Sequence, residues 1–359
     1  MEQYKTEEYL GHKINIYYDQ DAESPRSWDN VATFVCEYRS YTLGDKQEVE
    51  PEIERLLNEH VSSKAIIDYF IKSRHAEFVD GEDGDDCDHY YKYQTKWYDG
   101  KLHDEYISAD STDDDEDGIA EEMAEKLGNG EKLLLIEESG EVAILPISLY
   151  DHSGITIWLG SINGHVDSQW DCSRVGFAYI EKSTVENEGM LDPGEVFGHD
   201  WKKWAYDRME TEMHIYDQYL RGDAYGYMIE DEDGCEGGGC WGFFGSDFDK
   251  NGLMESAKNE IDYDIQAEEK KRKENIETVQ NGLLTLSFGH RIFISGRDVF
   301  RVVREPMFGF LVLQQAKMTG NHFGENDFND VNLSAIDDYA LNVLAGFIKK
   351  VNNLNRHTV

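Results

Sequence analysis

Apolar and polar positions near the start of the chain follow first the period of a strand and then that of a helix. Residues 13–18 alternate, which predicts a β-strand. Pro51, flanked by glutamates, is typical of a first helical turn, where the N–H donor that proline lacks would have no intrahelical partner and the dipole favours carboxylates. The pattern then predicts a helix with a break near Ser62 and Ser63. Its apolar stripe consists of Ile53, Leu56, Leu57, Val61, Ala65, Ile66, Tyr69 and Phe70.

The middle of the chain predicts an antiparallel sheet with flanking helices. Residues 133–136 and 142–149 flank a Glu-Glu-Ser-Gly-Glu segment, which is a hairpin signal. Helices are expected over residues 119–127 and about 195–209. Further strands are expected over residues 154–160, 175–180 and, around a turn at 221–223, 210–229.

The last third combines a long helix with a strand-rich tail. The periodicity predicts a helix over about 252–281, then strands over 283–313 and an amphipathic helix over 333–354. The fold class expected is therefore α+β, largely antiparallel sheet with flanking helices. A drop in acidity near residue 282 predicts two domains, an acidic one over 1–281 and a smaller α+β domain or extension over 282–359.

The net charge of the chain is the sequence feature that bears most directly on function. The chain has 74 Asp+Glu and 34 Lys+Arg, a net charge of -40 in 359 residues. Self-repulsion of this size adds no stability, so it indicates a partner, a solvent or an ion. At one phosphate per about 1.7 Å, forty charges match about 20 base pairs of duplex. Spread evenly they would be roughly threefold too dilute to imitate DNA, so mimicry requires clustering.

The acids are clustered, most densely over residues 77–125, where only Lys92, Lys96 and Lys101 oppose them. Shorter runs follow over 230–236 and 247–264. Aromatic residues, which dominate interface energies, lie inside the densest run and are candidate anchors, Tyr90, Tyr93 and Tyr98 among them. The principal candidate partner-binding residues are Asp83, Asp85, Asp86, Asp88, Asp110, Asp113, Asp114, Asp115, Glu116, Asp117, Glu121, Glu122, Tyr91 and Trp97.

Composition excludes several classes of protein. Hydrophobic residues at 40% and aromatics at 12% favour a folded core over a disordered acidic tail. Residues 1–10 do not resemble a signal peptide, and no run approaches the length of a membrane span. Five cysteines, an odd number, fit a reducing cytoplasm. Nucleic acids and membrane surfaces are themselves anionic, so we expect no direct binding to either.

Two stretches resemble calcium loops but lack the defining ligand. The loop that begins at Asp247 has Lys258 at position 12, where a bidentate Glu completes the oxygen shell. The stretch that begins at Asp113 has Ala124 there. Cys235 has only Cys240 nearby, which does not make a zinc-binding pattern. We therefore expect no cofactor and no tightly bound metal.

No catalytic signature stands out. The glycines at 237–239 are not followed by the Lys-Ser/Thr of a phosphate-binding loop, and hydrolase, zinc-protease and kinase motifs are missing from the sequence. His152 and His165 each lie close to an aspartate, but such pairs occur by chance in most proteins. We expect no catalytic residues.

Five motifs resemble an acidic, mostly uncharacterised protein family carried by phages, prophages and plasmids. They lie at residues 21–30 (DAESPRSWDN), 150–154 (YDHSG), 169–179 (QWD and VGFAY), 219–227 (YLRGDAYGY) and 240–245 (CWGFFG). The resemblance implies a mobile-element origin, in which strongly acidic proteins are often inhibitors of DNA-binding host defences. It provides no catalytic residues.

The sequence thus favours an inhibitor that binds the nucleic-acid-binding surface of a host defence protein, such as a restriction or CRISPR-type nuclease, in the host cytoplasm. Its partner would be a basic nucleic-acid-binding protein, with no direct contact to nucleic acid or membrane. Three alternatives stay open: an enzyme with an unrecognised site, a phage structural or regulatory protein whose acidity only confers solubility, and a salt-adapted protein.

Overall fold

The computed structural model describes residues 1–80, 89–109, 116–152, 154–162, 172–187, 201–282, 291–294, 298–304, 311–317 and 329–356. It has the α+β fold that the sequence predicts, with helices beside antiparallel sheets. None of the helices within these ranges is long and apolar enough to cross a membrane.

The helices and strands are given in chain order. The strands are β1 (Gln3–Tyr9), β2 (His12–Tyr18), β3 (Thr33–Cys36), β4 (Glu77–Val79), β5 (Tyr90–Lys96), β6 (Leu102–Ser108), β7 (Val142–Asp151), β8 (Ile155–Leu159), β9 (Cys172–Glu181), β10 (Ala224–Glu230), β11 (Glu236–Phe244), β12 (Arg291–Ile294), β13 (Asp298–Arg304), β14 (Leu311–Lys317) and β15 (Asn329–Asp330). The helices are α1 (Val49–His60), α2 (Ser63–Arg74), α3 (Glu116–Glu125), α4 (Asn129–Glu138), α5 (Lys182–Asn187), α6 (Trp201–Leu220), α7 (Leu253–Gly282) and α8 (Asp338–Arg356).

The chain divides into two compact units, but not after residue 281 as the composition suggested. Unit 1 contains residues 1–6, 15–227 and 240–253, and unit 2 contains 7–14, 228–239 and 254–359. Helix α7 therefore belongs almost wholly to unit 2. The reason is packing, because Val279 near its end is buried in the same apolar cluster as Phe300 and Leu313 of β13 and β14.

The centre of unit 1 is an antiparallel sheet in the order β3-β9-β7-β8. Its side chains alternate between two apolar clusters, as the period of a strand requires. Ala143 and Ile147 of β7 enter the cluster that contains α6. Val142, with Phe177 of β9, enters the cluster that contains α1, α2, α3 and α4. Helices thus cover both faces of this sheet.

The predicted break near Ser62 is confirmed. Helix α1 ends at His60, α2 begins at Ser63, and the Ser62 hydroxyl accepts a hydrogen bond from the amide of Ala65 at 3.3 Å. Serine is favoured at this position because its side chain satisfies an amide that the first turn leaves without a partner.

The predicted hairpin is wrong in its first arm. Residues 133–136 lie in helix α4, where Lys132, Leu135 and Ile136 are buried at helical spacing. Glu131 accepts a hydrogen bond from the amide of Gly128 at 3.0 Å and so closes the first turn. A four-residue apolar run fits a strand or a buried helix equally well, and here helix packing against α1 decides.

The strand predicted from residue 210 is also wrong up to Leu220, because α6 continues to that residue. Met209, Met213 and Tyr216 are buried at spacings of three and four, which is a helical stripe. The turn at 221–223 and the strand after it, β10, are confirmed.

Arg26, in the first of the five motifs (residues 21–30), lies at the centre of a buried group of ion pairs in unit 1. The Arg26 side chain is 6% exposed and lies between Asp45, at 2.6 Å, and Glu212, at 3.0 Å. Its guanidinium also stacks 3.8 Å from the ring centroid of Phe34. Glu212 accepts further hydrogen bonds from the amides of Val31 and Ala32. Arg26 therefore ties α6 to the start of β3.

A further sheet has the order β1-β2-β10-β11. Gly226 of the fourth motif lies against the indole of Trp241 from the fifth, where an added Cβ would come within 2.1 Å of a ring carbon. Only glycine fits there. Phe244 of the fifth motif is buried.

Unit 2 combines α7 and α8 with a sheet in the order β12-β13-β14-β15. Ala340, Leu341, Leu344 and Ile348 form the buried stripe of α8, which confirms the amphipathic helix predicted for this region. The Arg272 guanidinium of α7 donates to the carbonyl oxygens of Ser334 and Ile336 and to the Asp338 carboxylate.

Candidate partner-binding surface

Three strands, β4, β5 and β6, form the antiparallel sheet that lies inside the densest acidic run. Tyr91 of β5 is opposite Ile107 of β6, and Lys92 is opposite Tyr106. Because successive side chains point to opposite faces, odd and even positions of β5 belong to different faces. One face is buried and the other faces solvent.

One candidate anchor, Tyr93, lies on the buried face of this sheet. Tyr93 is 6% exposed and packs edge-on against Phe70 of α2, with ring centroids 5.0 Å apart. Burial raises the pKa of Tyr93, and the nearby carboxylates of Glu105 and Glu122 raise it further. Tyr91 points to the same face and is half-buried. Tyr93 is therefore a core residue, and Tyr91 contributes only part of its ring to the surface.

The solvent face presents an apolar patch around an ion pair. Leu102 is 63% exposed and Tyr106 is 54% exposed, and Tyr106 meets Tyr90 edge-on at 5.4 Å. Lys92 Nζ lies 2.8 Å from the Asp104 carboxylate, and this hydrogen bond lowers the pKa of Asp104. Leu102 and Tyr106 are not among the predicted anchors, although the alternation of residues 102–108 indicates that both lie on the solvent face.

The turn between β5 and β6 presents two aromatic rings. Trp97 is 45% exposed and stacks on the His103 ring, with centroids 4.3 Å apart. Its indole Nε1 donates to Glu105 at 3.0 Å. Tyr98 is 98% exposed. A hydrogen-bonded tryptophan beside a fully exposed tyrosine fits the amphipathic residues enriched at protein interfaces.

Both acidic segments join the sheet at its other end. Val79 is opposite Tyr90, and Tyr90 is opposite Ser108. The amide of Ala109 donates to the carbonyl of His89 at 2.6 Å. The strand ends that precede and follow residues 81–88, and the one that precedes residues 110–115, are thus neighbours. Eight predicted residues lie in these segments, outside the described ranges: Asp83, Asp85, Asp86, Asp88, Asp110, Asp113, Asp114 and Asp115.

Helix α3 continues the acidic run with side chains that face away from the core. Glu116, Asp117 and Glu121 are exposed, and Glu122 is half-buried. Ala120 and Met123 form the buried stripe on the opposite side. Two of these acids lie in the first turn, where the helix dipole favours a negative charge. The solvent-facing carboxylates of α3 thus follow directly in sequence after the acidic residues 110–115.

The structure therefore separates the acidic candidates from the aromatic ones. The acidic segments begin at one end of β5, whereas Trp97 and Tyr98 follow its other end. Seven residues of strand place these ends about 20 Å apart. One partner of a standard interface buries about 800 Å², a patch roughly 30 Å across, so an interface of this size would be wide enough to cover both groups.

One group of possible metal ligands is present in the described part of the chain. Side-chain atoms of Glu59, His60 and Glu181 lie within 4.8 Å of one another. The Arg55 guanidinium, however, pairs with the Glu59 carboxylate and lies 2.7 Å from that of Glu181. A bound cation would have to displace or face this guanidinium. We therefore interpret the group as an ion-pair network.

The loop that begins at Asp247 serves as a turn before a helix. Lys250 Nζ lies 2.8 Å from the Asp247 carboxylate and lowers its pKa. The Asn251 side chain accepts from the amide of Leu253 at 3.0 Å and donates to the Gly245 carbonyl. Two of the side chains that a calcium ion would use, those of Asp247 and Asn251, are thus engaged in local interactions.

A buried carboxylate, Glu52, holds together the elements beneath this network. It accepts from the Tyr179 hydroxyl at 2.7 Å, from Lys46 at 2.8 Å and from Arg55 at 2.7 Å. Burial alone would raise the pKa of Glu52, but the hydrogen bonds from Lys46, Tyr179 and Arg55 outweigh it, so that the pKa lies below its ordinary value.

Glu52→Gln should lower the free energy of unfolding by about 1–3 kcal/mol at neutral pH, since it removes the carboxylate that pairs with Lys46 and one of the three that pair with Arg55. The depressed pKa makes this stabilisation complete above the ordinary value of about 4.3 and lost as pH falls through the folded-state pKa. Urea unfolding from pH 7 to pH 3 should therefore show the two proteins converging at acid pH. A constant difference would contradict the assignment.

The suggested acid–base pair is engaged in packing. Asp151 accepts from the Tyr38 hydroxyl at 2.9 Å, and the His152 ring stacks with that of Tyr150 at 6.2 Å. His165 lies outside the described residues.

Comparison of the chain with protein-family models, with curated proteins and with solved structures finds no match.

Proposed function

We propose that this protein is an acidic inhibitor of mobile-element origin that occupies the nucleic-acid-binding surface of a basic host defence protein. The observation that carries the proposal is the concentration of charge along the stretch of chain that contains one small sheet. Residues 77–125 contain nineteen Asp and Glu against three Lys. Nine of these acids lie in residues 81–88 and 110–115, which adjoin neighbouring strand ends, and α3 adds exposed carboxylates.

Electrostatics favours a protein partner. Many phosphate contacts of a nucleic-acid-binding groove are made by Lys or Arg, and carboxylates at similar spacing would contact the same side chains. Such an encounter is fast at low salt and weakens as salt rises, because exposed charges are screened beyond about 8 Å at physiological ionic strength. The exposed aromatic residues of the sheet would supply the apolar contacts that rim charges do not.

Capture from an extract of the strain that carries the gene, at about 50 and 300 mM salt, tests the proposal. The expected result is a basic nucleic-acid-binding protein that is retained at low salt and released at high salt. Retention of a partner that is indifferent to salt, or of one with no nucleic-acid-binding surface, would contradict it.

Tyr98→Ser should weaken binding to that partner by about 1–2 kcal/mol, because a fully exposed ring at the turn gains its burial only in the complex. The unfolding midpoint should not change, since Tyr98 is 98% exposed. Tyr263→Ser is the matched control, because this ring is 72% exposed on α7 of unit 2. Equal effects of the two substitutions on binding would exclude the turn from the interface.

A further inference from the structure

Unit 1 contains an open groove of about 980 Å³. It is lined by the residues after β3, the start of β9, and helices α1 and α4. Its floor is apolar. Ile53 and Phe177 are buried, and Val49, Val175 and Leu133 complete the lining. Small-molecule sites have volumes of about 300–1,000 Å³ and floors of this kind.

Two arginines on the rim of this groove have no carboxylate partner. Arg39 and Arg174 are exposed, and neither forms an ion pair with any residue that the structure describes. The Arg39 guanidinium lies beside the hydroxyl of Tyr38, which also lines the groove. The lack of a carboxylate partner is unusual in a chain with more than twice as many acids as bases. Other described arginines do pair with carboxylates: Arg26, Arg55, Arg74, Arg208, Arg221 and Arg272.

The start of helix α4 forms another part of the rim, and glycine occupies two positions there, 128 and 130. Asn129 and Gly130 line the groove, and Gly128 precedes them without a side chain to cap the helix. Packing does not require glycine at 130, because an added Cβ would meet nothing within 4 Å. Glycine in a helix costs about 1 kcal/mol relative to alanine. The amides of Asn129 and Gly130 lie at the positive end of the helix dipole. The nearby Glu131 carboxylate accepts from the Gly128 amide and is balanced by Arg74.

We propose that this groove binds a small amphiphilic anion, with an apolar body on the floor and a carboxylate or phosphate headgroup between Arg39, Arg174 and the start of α4. Guanidinium groups and helix-terminal amides are the donors that such headgroups use. Among the lining residues only Glu37 is a carboxylate, and it is exposed to solvent, which screens its charge. The site does not depend on the proposed function.

Isothermal titration calorimetry of the full chain tests this with four probes: octanoate, octyl phosphate, 1-octanol and inorganic phosphate. At least one octyl anion should bind with 1:1 stoichiometry, and the preferred one identifies the headgroup. Octanol and inorganic phosphate, each lacking one half of the ligand, should bind at least about tenfold more weakly. Failure of both octyl anions to bind, or equal binding of either incomplete probe, would overturn the proposal.

Variants locate the binding. The double substitution Arg39→Gln/Arg174→Gln should reduce affinity about tenfold or more, since it removes both charged donors. Gly130→Leu should reduce it as well by filling the open space above α4. Arg221→Gln, which removes one exposed charge outside the groove, should change affinity less than about twofold. Unchanged affinity in the double variant would show that the anion binds elsewhere.

Discussion

Arg26→Met is expected to destabilise unit 1 by about 3–5 kcal/mol, the largest effect of any single substitution considered. The change keeps a similar volume but leaves Glu212, which is 5% exposed, without its buried counter-charge. It also removes the hydrogen bond to the Ala32 carbonyl and the contact with Phe34. Every tryptophan of the chain lies in unit 1, so tryptophan fluorescence during urea unfolding reports on this unit alone.

Arg208→Met is the matched control. Arg208 pairs with the same carboxylate, Glu212, at 2.9 Å, but its side chain is 42% exposed. Water can replace its interactions, so its loss should cost no more than about 1 kcal/mol. Similar losses in the two variants would mean that the buried position of Arg26 does not determine its contribution.

Neutralising five consecutive acids should weaken partner binding by about 1–5 kcal/mol, since each exposed ion pair contributes about 0.2–1 kcal/mol. The variant changes Asp113, Asp114, Asp115, Glu116 and Asp117 to Asn or Gln. Single substitutions among them should have little effect. The loss should shrink as salt rises, because the removed interactions are the screened ones. Fluorescence polarisation with the labelled partner, at two salt concentrations, measures it.

The control neutralises five exposed acids of α7 and so changes the net charge equally: Glu255, Asp264, Glu268, Glu274 and Glu277. If net charge alone attracts the partner, both variants lose the same affinity. If the acidic run of residues 77–125 forms the interface, only the first variant does. Equal loss would favour acidity as a solubility device and would count against the proposed surface.

Much of the fold follows from local patterns. The strand at 13–18, the break at Ser62 and the long helix α7 each have a clear period or a capping residue, and all are confirmed. The hairpin arm at 133–136 and the strands from 210 are wrong for different reasons. Residues 133–136 are a short apolar run whose state depends on which neighbours bury it, and packing against α1 selects a helix. Residues 210–220 mix polar and apolar positions, and their buried residues Met213 and Tyr216 follow the helical period.

The candidate surface was only partly predictable. Acid clustering identified the run over 77–125, but nothing in the local sequence indicates that Tyr93 is buried while Tyr98 is exposed. That difference depends on the pairing of β5 with β6 and on the packing of α2 against one face. The sequence also could not show that Arg39 and Arg174 lack carboxylate partners. They line the same groove only because β9 pairs with β3.

Competition with DNA tests the central claim most directly. A labelled duplex of about 20 base pairs is bound to the purified partner, and this protein is titrated in at constant salt. We expect the apparent dissociation constant of the duplex to rise in proportion to the concentration of this protein, as mutually exclusive binding requires. A ternary complex in which the partner keeps its full affinity for DNA would contradict the account.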